Sequence, residues 1–273
     1  MLSRRPVRLR MRGSRLRRPA INRIVPNVLT VLALCAGLTA IRFGLEERWE
    51  FGVFAVLIAG ILDGLDGRLA RLLGGTSKFG AELDSLSDFV SFGVAPAVLL
   101  YLWTMHSAGG LGWALVLLFA VCCALRLARF NTRLGDPAPP PWAAGFFTGV
   151  PAPAGAALVL LPMMISFQFG GELASGTLFT GGVVCCVAVL MISQIPTYSM
   201  KQVRISHRYM VPVLLVAGAF AAAVVSAPWL TLLIINTAYL ASIPFSVRAH
   251  GRFKRMAEPA LPPAQQQAEL PSS

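Results

Sequence analysis

Five of the chain's twelve acidic residues fall between Asp63 and Asp88, within a chain that is otherwise strongly apolar. The segment reads Asp63-Gly-Leu-Asp66-Gly67-Arg-Leu-Ala70-Arg71, then eight residues, then Gly80-Ala-Glu-Leu-Asp84-Ser-Leu-Ser-Asp88. A carboxylate at the centre of a membrane helix costs roughly 2.5–3.5 kcal/mol, so a cluster of them needs a reason. Asp63 and Asp66 are spaced i, i+3, and Asp84 and Asp88 i, i+4, which puts each pair on one helix face. Gly74, Gly75 and Gly80 supply a turn that folds the two faces together. Four carboxylates so gathered repel strongly in a low dielectric, and the one neighbouring arginine, Arg71, cannot balance them. Two divalent cations can. Oxygen-only ligands select hard ions such as Mg²⁺, Mn²⁺ or Ca²⁺, and a pair of ions about 3.5–4 Å apart clamps displacement at phosphorus. The expected chemistry is metal-dependent transfer of a phosphorus group, with Asp63, Asp66, Asp84 and Asp88 as ligands.

Gly67, Ala70 and Gly80 suit that chemistry because small side chains let a bulky diphosphate approach the helix backbones; close helix packing is the alternative reading of the same residues. For the aspartates the alternatives are an interfacial cluster paired with arginines, or the cation path of a transporter. A transporter predicts carboxylates near the bilayer midplane, broken helices and repeats; the sequence has neither repeats nor a second acidic cluster.

The elements that must hold these residues are membrane helices. Of 273 residues, 56% are hydrophobic and 13% charged, and apolar runs of roughly 17–25 residues, long enough to cross hydrocarbon, recur along the chain. The expected spans are 28–44, 51–73, 86–103, 111–131, 145–168, 177–198, 209–226 and 228–247. That is an all-α polytopic membrane protein with about eight transmembrane helices. Residues 1–25 form a basic tail, 26–250 the transmembrane catalytic unit, and 251–273 a Pro- and Gln-rich tail unable to bury a core.

A formal net charge of +12 suggests at first a nucleic-acid binder. The positions of the charges exclude that reading. Five clusters, at 1–27, 68–78, 126–133, 201–208 and 248–255, hold 22 of the 24 Lys and Arg residues. With eight spans all five fall on one side, so the positive-inside rule places both termini and the acidic cluster in the cytoplasm, in a protein of a bacterial inner membrane. The charge also attracts anionic membrane lipids. Cys35, Cys122, Cys123, Cys185 and Cys186 lie in apolar runs without ligand spacing and read as packing residues.

The pattern D-x2-D-G-x2-A-R-x8-G-x3-D-x3-D, met from Asp63 to Asp88 without a departure, resembles the signature of the CDP-alcohol phosphatidyltransferases. The resemblance implies that an acceptor hydroxyl attacks the β-phosphorus of a CDP-lipid and CMP leaves, Asp88 taking the hydroxyl proton as well as touching a metal. It places Asn27, Thr30, Gly67, Ala70, Arg71 and Gly80 around the nucleotide and diphosphate. Asn27 and Thr30 read equally well as a helix N-cap and a hydroxyl satisfied by its own backbone.

Three further stretches, Glu82–Pro96, Leu125–Asn131 and Phe146–Pro153, resemble the phosphatidylserine synthase branch of that family. This implies CDP-diacylglycerol and L-serine as substrates, and the family suggests a homodimer. A serine carboxylate needs a cation or amide fork. Arg126 and Arg129, spaced i, i+3, are the candidates, with Asn131 beside them; the competing reading is of topogenic arginines reaching the interface. Glycerol 3-phosphate, inositol and choline are the rival acceptors.

Overall fold

The computed structural model describes residues 21–75, 77–133, 146–171, 175–198 and 210–257. In order these form α1 (Ile21–Leu45), α2 (Trp49–Leu73), α3 (Lys78–Asp88), a π-helical turn (Phe89–Val94), α4 (Ala95–Trp103) and α5 (Gly109–Thr132). Then come strand β1 (Phe146–Thr148), α6 (Ala152–Val159), α7 (Leu161–Phe169), α8 (Thr177–Ile192), strand β2 (Pro196–Tyr198), α9 (Met210–Ser226) and α10 (Pro228–Ala257).

The first two helices form an antiparallel hairpin lined with small residues. Gly44 and Gly52 both face Leu99 of α4, where an added Cβ would sit 2.9 and 2.7 Å from its Cδ2, and Ala40, Val53 and Ala59 are fully buried beside them. Without a water-driven hydrophobic force inside a bilayer, such close approach is how helices gain packing energy. At the hairpin tip Arg48 stacks its guanidinium over Phe43 and Phe51, 4.9 and 4.3 Å from the ring centroids.

The chain leaves α2 through Gly74, whose left-handed conformation (φ 58°) ends the helix while Gly75 N–H donates to the Ala70 carbonyl. It enters α3 through Ser77, whose hydroxyl accepts from Gly80 N–H at 3.0 Å. Together these two caps make the tight return that the sequence suggested.

A buried serine ladder fastens α3 to α1. Ser87 Oγ donates to the Thr30 carbonyl (3.1 Å) and Ser91 Oγ, one turn on, to the Ala33 carbonyl (3.2 Å). Gly37 lets the helices meet there, since a Cβ on it would lie 2.8 Å from Ser91 Cα. The π turn directly after Asp88 is absent from the sequence reading. It is met on its other side by α5, with Gly93 closely facing Cys123.

Strands β1 and β2 pair antiparallel, Phe147 opposite Thr197, and β2 packs on α10. Four helical stretches, Ile24–Leu45, Lys78–Trp103, Met105–Thr132 and Pro228–Ala249, are long and apolar enough to cross a membrane, and α6–α7, bent by 41°, makes a fifth if it is one span. Pro162, at the start of α7, accounts for that break, since it donates no N–H. The eight expected segments all contain helix, but three fall outside this set. Helix α2 is interrupted by its own charges, α8 has only 16 residues, about 24 Å of helix against roughly 30 Å of hydrocarbon, and α9 has 17.

The expected boundaries shift in four places. The fifth segment opens with β1, the sixth ends in β2, α1 starts at Ile21 within the expected first tail, and α10 runs to Ala257 within the second. The remainder of both tails and the basic 201–208 loop lie outside the described residues.

The ladder gives a stability test. Gly37→Leu should force α1 off Ser91 and lower the melting temperature in detergent by several degrees, an overpacking cost of about 1–3 kcal/mol. Gly64→Ala, where an added Cβ meets nothing within 4 Å, should leave it unchanged or slightly raised. Equal melting temperatures for wild type and Gly37→Leu would refute the close contact.

Candidate active site

A cleft of about 290 Å³ opens where the N-terminal half of α1, the last turns of α2, the start of α3 and the end of α5 come together. Asp66, Asp84 and Asp88 line it. Asp63, one turn before Asp66, completes a group in which carboxylate oxygens of Asp63, Asp66 and Asp84 lie within 4.8 Å of one another. The Asp88 carboxyl adjoins this group, within hydrogen-bonding reach of Asp63. All four signature aspartates therefore meet, as i, i+3 and i, i+4 spacing on two facing helices requires.

Among the described residues no cation forms an ion pair with them. The ion pairs among the described residues, Arg42–Glu46 and Arg48–Glu46, sit at the far tip of the α1–α2 hairpin, so an arginine-paired interfacial cluster does not describe this site. Hard oxygen donors alone, converging from two helices with their charge unbalanced, fit a divalent cation such as Mg²⁺, Mn²⁺ or Ca²⁺.

Thr30 explains how one ligand is held. Its hydroxyl, buried in the α1–α2 contact, reaches Asp66 Oδ2 at 2.6 Å and the Pro26 carbonyl at 3.1 Å. Both readings of Thr30 are thus partly met: it is satisfied by its backbone and it also orients a carboxylate. Asn27 is not an N-cap, because α1 begins at Ile21. It lines the cleft opposite Gly80, where a Cβ would stand 2.9 Å from Asn27 Oδ1.

The small residues divide by role. Gly80 is a close-approach position, whereas a Cβ on Gly67 would meet nothing within 4 Å, so Gly67 is not required for helix packing. Its open side belongs to the cleft, which Ala70 and Arg71 also line. Arg71 is exposed and forms no ion pair among the described residues.

The three acceptor candidates on α5 separate. Arg126 lies within electrostatic reach of Asp88, and its Nε is buried with no hydrogen-bond partner among the described residues, but like Arg129 it is not a lining residue of the cleft. Arg129 turns away: Nη1 donates to the Ile192 carbonyl at 2.8 Å, tying α5 to the end of α8, and it does not line the cleft. Asn131 lines the cleft but is engaged with α3, its Nδ2 donating to Ser85 Oγ at 2.8 Å. Spacing alone put Arg126 and Arg129 on one face; long side chains with different partners take them apart.

Sequence reasoning missed Ser77, Ser85 and Phe130, which also line the cleft. Ser77 carried a signal, since Ser three residues before Gly80 marks an N-cap. Ser85 and Phe130 carried none beyond adjacency to motif residues.

Two sequence models match this chain: that of the CDP-alcohol phosphatidyltransferases over residues 23–195, and CDP-alcohol phosphatidyltransferase 2 over residues 208–244. The chain is similar to the CDP-diacylglycerol–serine O-phosphatidyltransferase of Mycobacterium leprae, 46% identical over 84% of this chain and 77% of that protein. It is also similar to the proteins of the same name from Mycobacterium tuberculosis, 44% identical over 83% of this chain and 79% of the relative, and Helicobacter pylori, 37% identical over 70% and 79%. With the four signature aspartates meeting in one cleft and the first match running from α1 through the end of α8, the chain belongs to the CDP-alcohol phosphatidyltransferase family.

Proposed function

We infer that this chain is a membrane enzyme of phospholipid biosynthesis that transfers the phosphatidyl group of CDP-diacylglycerol to the hydroxyl of L-serine, giving phosphatidylserine and CMP. The observation that carries the reading is the meeting of Asp63, Asp66 and Asp84, with Asp88 beside them, at a cleft that Asp66, Asp84 and Asp88 line. The relatives' names supply the acceptor.

In this reading Asp63, Asp66 and Asp84 hold divalent metal, two ions of Mg²⁺ or Mn²⁺, with Asp88 touching one of them. Bound there, the ions would offset the negative charge that builds on the diphosphate as CMP leaves. Thr30 fixes the rotamer of Asp66, and the Ser87 and Ser91 contacts fix α3 and so Asp84 and Asp88. Gly67 and Ala70 leave room for the diphosphate, while Arg71, Asn27 and Gly80 border the nucleotide.

Asp88 accepts the proton of the serine hydroxyl as that oxygen bonds to the β-phosphorus and the bond from phosphorus to the CMP oxygen breaks. Arg126, within electrostatic reach of Asp88, pairs with the serine carboxylate. Arg129 and Asn131 act by positioning α5 against α8 and α3.

The cleft lies among the interfacial ends of its helices, and Leu72, Phe79 and Leu86, adjacent in sequence to its lining residues, are 83%, 69% and 64% exposed. Such an apolar rim suits lateral entry of a diacyl substrate, with serine and CMP exchanging through water. The basic clusters put this end of the protein in the cytoplasm.

A mixed-micelle assay of the purified protein with CDP-diacylglycerol tests the reading. CMP release should require Mg²⁺ or Mn²⁺ and should appear with L-serine but not with glycerol 3-phosphate, inositol or choline; release with one of the others would replace serine as the acceptor. Asp88→Asn should lower kcat by about 10²- to 10⁴-fold while Mn²⁺ and CDP-diacylglycerol still bind. Substantial turnover would remove Asp88 as the base. Asp63→Asn and Asp84→Asn should weaken Mn²⁺ binding, followed by electron paramagnetic resonance, at least roughly ten-fold; unchanged affinity in both would sink the metal assignment.

A further inference from the structure

Four buried side-chain polar atoms lack a hydrogen-bond partner among the described residues: Arg126 Nε, Thr180 Oγ1, Tyr239 Oη and Ser246 Oγ. The two serine and threonine hydroxyls are weak signals, because such a group in a helix can turn to its own i−4 carbonyl at little cost. Arginine and tyrosine have no such retreat, since their polar ends stand too far from their own backbone. Burying either without a partner costs roughly 1–3 kcal/mol, more for the cation.

These two come from helices remote in sequence. Tyr239, on α10, and Arg126, on α5, lie within electrostatic reach of each other, and Arg126 also reaches Asp88. The Tyr239 hydroxyl comes near Thr197 of β2 without forming a hydrogen bond of acceptable geometry, and the Thr197 hydroxyl donates instead to the Gly149 carbonyl at 2.9 Å. The strand pair thus holds Thr197 beside Tyr239 while the tyrosine hydroxyl keeps no hydrogen bond of good geometry among the described residues. Tyr239 is held from below by its own helix face, on which Asn236 and Ile243 are buried.

We propose that Tyr239 is an acceptor-binding residue whose hydroxyl, together with Arg126, grips the carboxylate of serine and holds its hydroxyl against Asp88. The inference rests on the reading of the chain as a serine phosphatidyltransferase. A carboxylate is the ligand that answers both groups at once: it accepts from the phenol and from the guanidinium, whose Nε has no partner among the described residues. An acceptor lacking a carboxylate leaves both donors buried and unpaired, which is how a site built on hydrogen bonds discriminates strongly. α10 then does more than complete the bundle, since it supplies one group of the acceptor site.

Tyr239→Phe removes the hydroxyl and keeps the ring. In mixed micelles of the full chain, with CMP release followed against L-serine, against L-serinamide and against CDP-diacylglycerol, this variant should raise the KM for serine roughly 10- to 100-fold. The KM for CDP-diacylglycerol and the melting temperature should stay within error, and the preference for serine over serinamide should narrow. Tyr239→His, which retains a ring donor, should recover part of the serine affinity. A serine KM within about two-fold of wild type for Tyr239→Phe overturns the proposal, as does an equal rise in both KM values together with a lowered melting temperature in both variants. Wild-type protein that releases no CMP with serine overturns the underlying reading as well; wild-type activity with an unaffected Tyr239→Phe overturns this inference alone.

Discussion

Mutual repulsion among Asp63, Asp66, Asp84 and Asp88 is the constraint around which the first half of the molecule is organised. Two unit charges 4 Å apart oppose each other by about 4 kcal/mol at an effective dielectric constant of 20, and here oxygens of three carboxylates already fall within 4.8 Å of one another. Left to themselves, α2 and α3 would splay. They are kept together by α1, which touches both: Thr30 donates from its side chain to Asp66 and accepts through its carbonyl from Ser87. One residue thereby ties the two acidic helices to a common support. The same logic accounts for Gly37 and the Ser91 contact one turn deeper, and for the small-residue seam along the α1–α2 hairpin. Rigidity bought against that repulsion is what would let the cluster keep its shape on binding a cation, as proposed.

Much of the acidic half was legible in the sequence because its geometry is local. Spacings of three and four within a helix, and a glycine-rich return between two helices, fix where side chains point with no knowledge of the rest of the chain. Gly67 and Gly80 show the limit of that argument. Both are small residues within one motif, but only the position of α1 distinguishes a glycine that admits a neighbouring helix from one that opens on a cleft. The π turn was illegible for a similar reason: Phe89–Val94 has the composition of any apolar helix, and its extra residue is drawn out by the helices packed on either side.

The acceptor half depends on contacts between remote segments, and there spacing misleads. Arg126 and Arg129 share a face by count, yet a six-bond side chain can bend far from its Cβ direction. Arg129 does so to reach the carbonyl of Ile192 at the end of α8. That carbonyl is one of the last four of its helix, without an intrahelical donor, so it attracts a nearby cation more strongly than a distant cleft does. Arg126, one turn deeper, has no helix end within reach. On related grounds the eight expected spans exceed the four or five that are long and apolar enough to cross among the described residues. Hydropathy reports that a segment is apolar, while crossing also requires length, and α8 is apolar without being long.

Unsatisfied polarity sorts these residues better than position in a motif. Ser87, Ser91, Thr30, Ser85 and Asn131 all have protein partners, and each secures one helix to another. A group whose bonds are complete within the protein has little left to offer a substrate. Arg126 and Tyr239 are the reverse, each with a buried polar atom unpaired among the described residues; under the proposed reading that cost is returned only when a ligand binds between them and Asp88. A site that stores its unpaired donors in this way is destabilised when empty and selective when filled, because the free energy returned on binding goes only to a ligand that satisfies both. Under the proposed reading, the polar atoms that hold the acidic half together and those that remain open around Arg126 and Tyr239 are two parts of one arrangement: the first keep Asp88 still, and the second would decide which hydroxyl is brought to it.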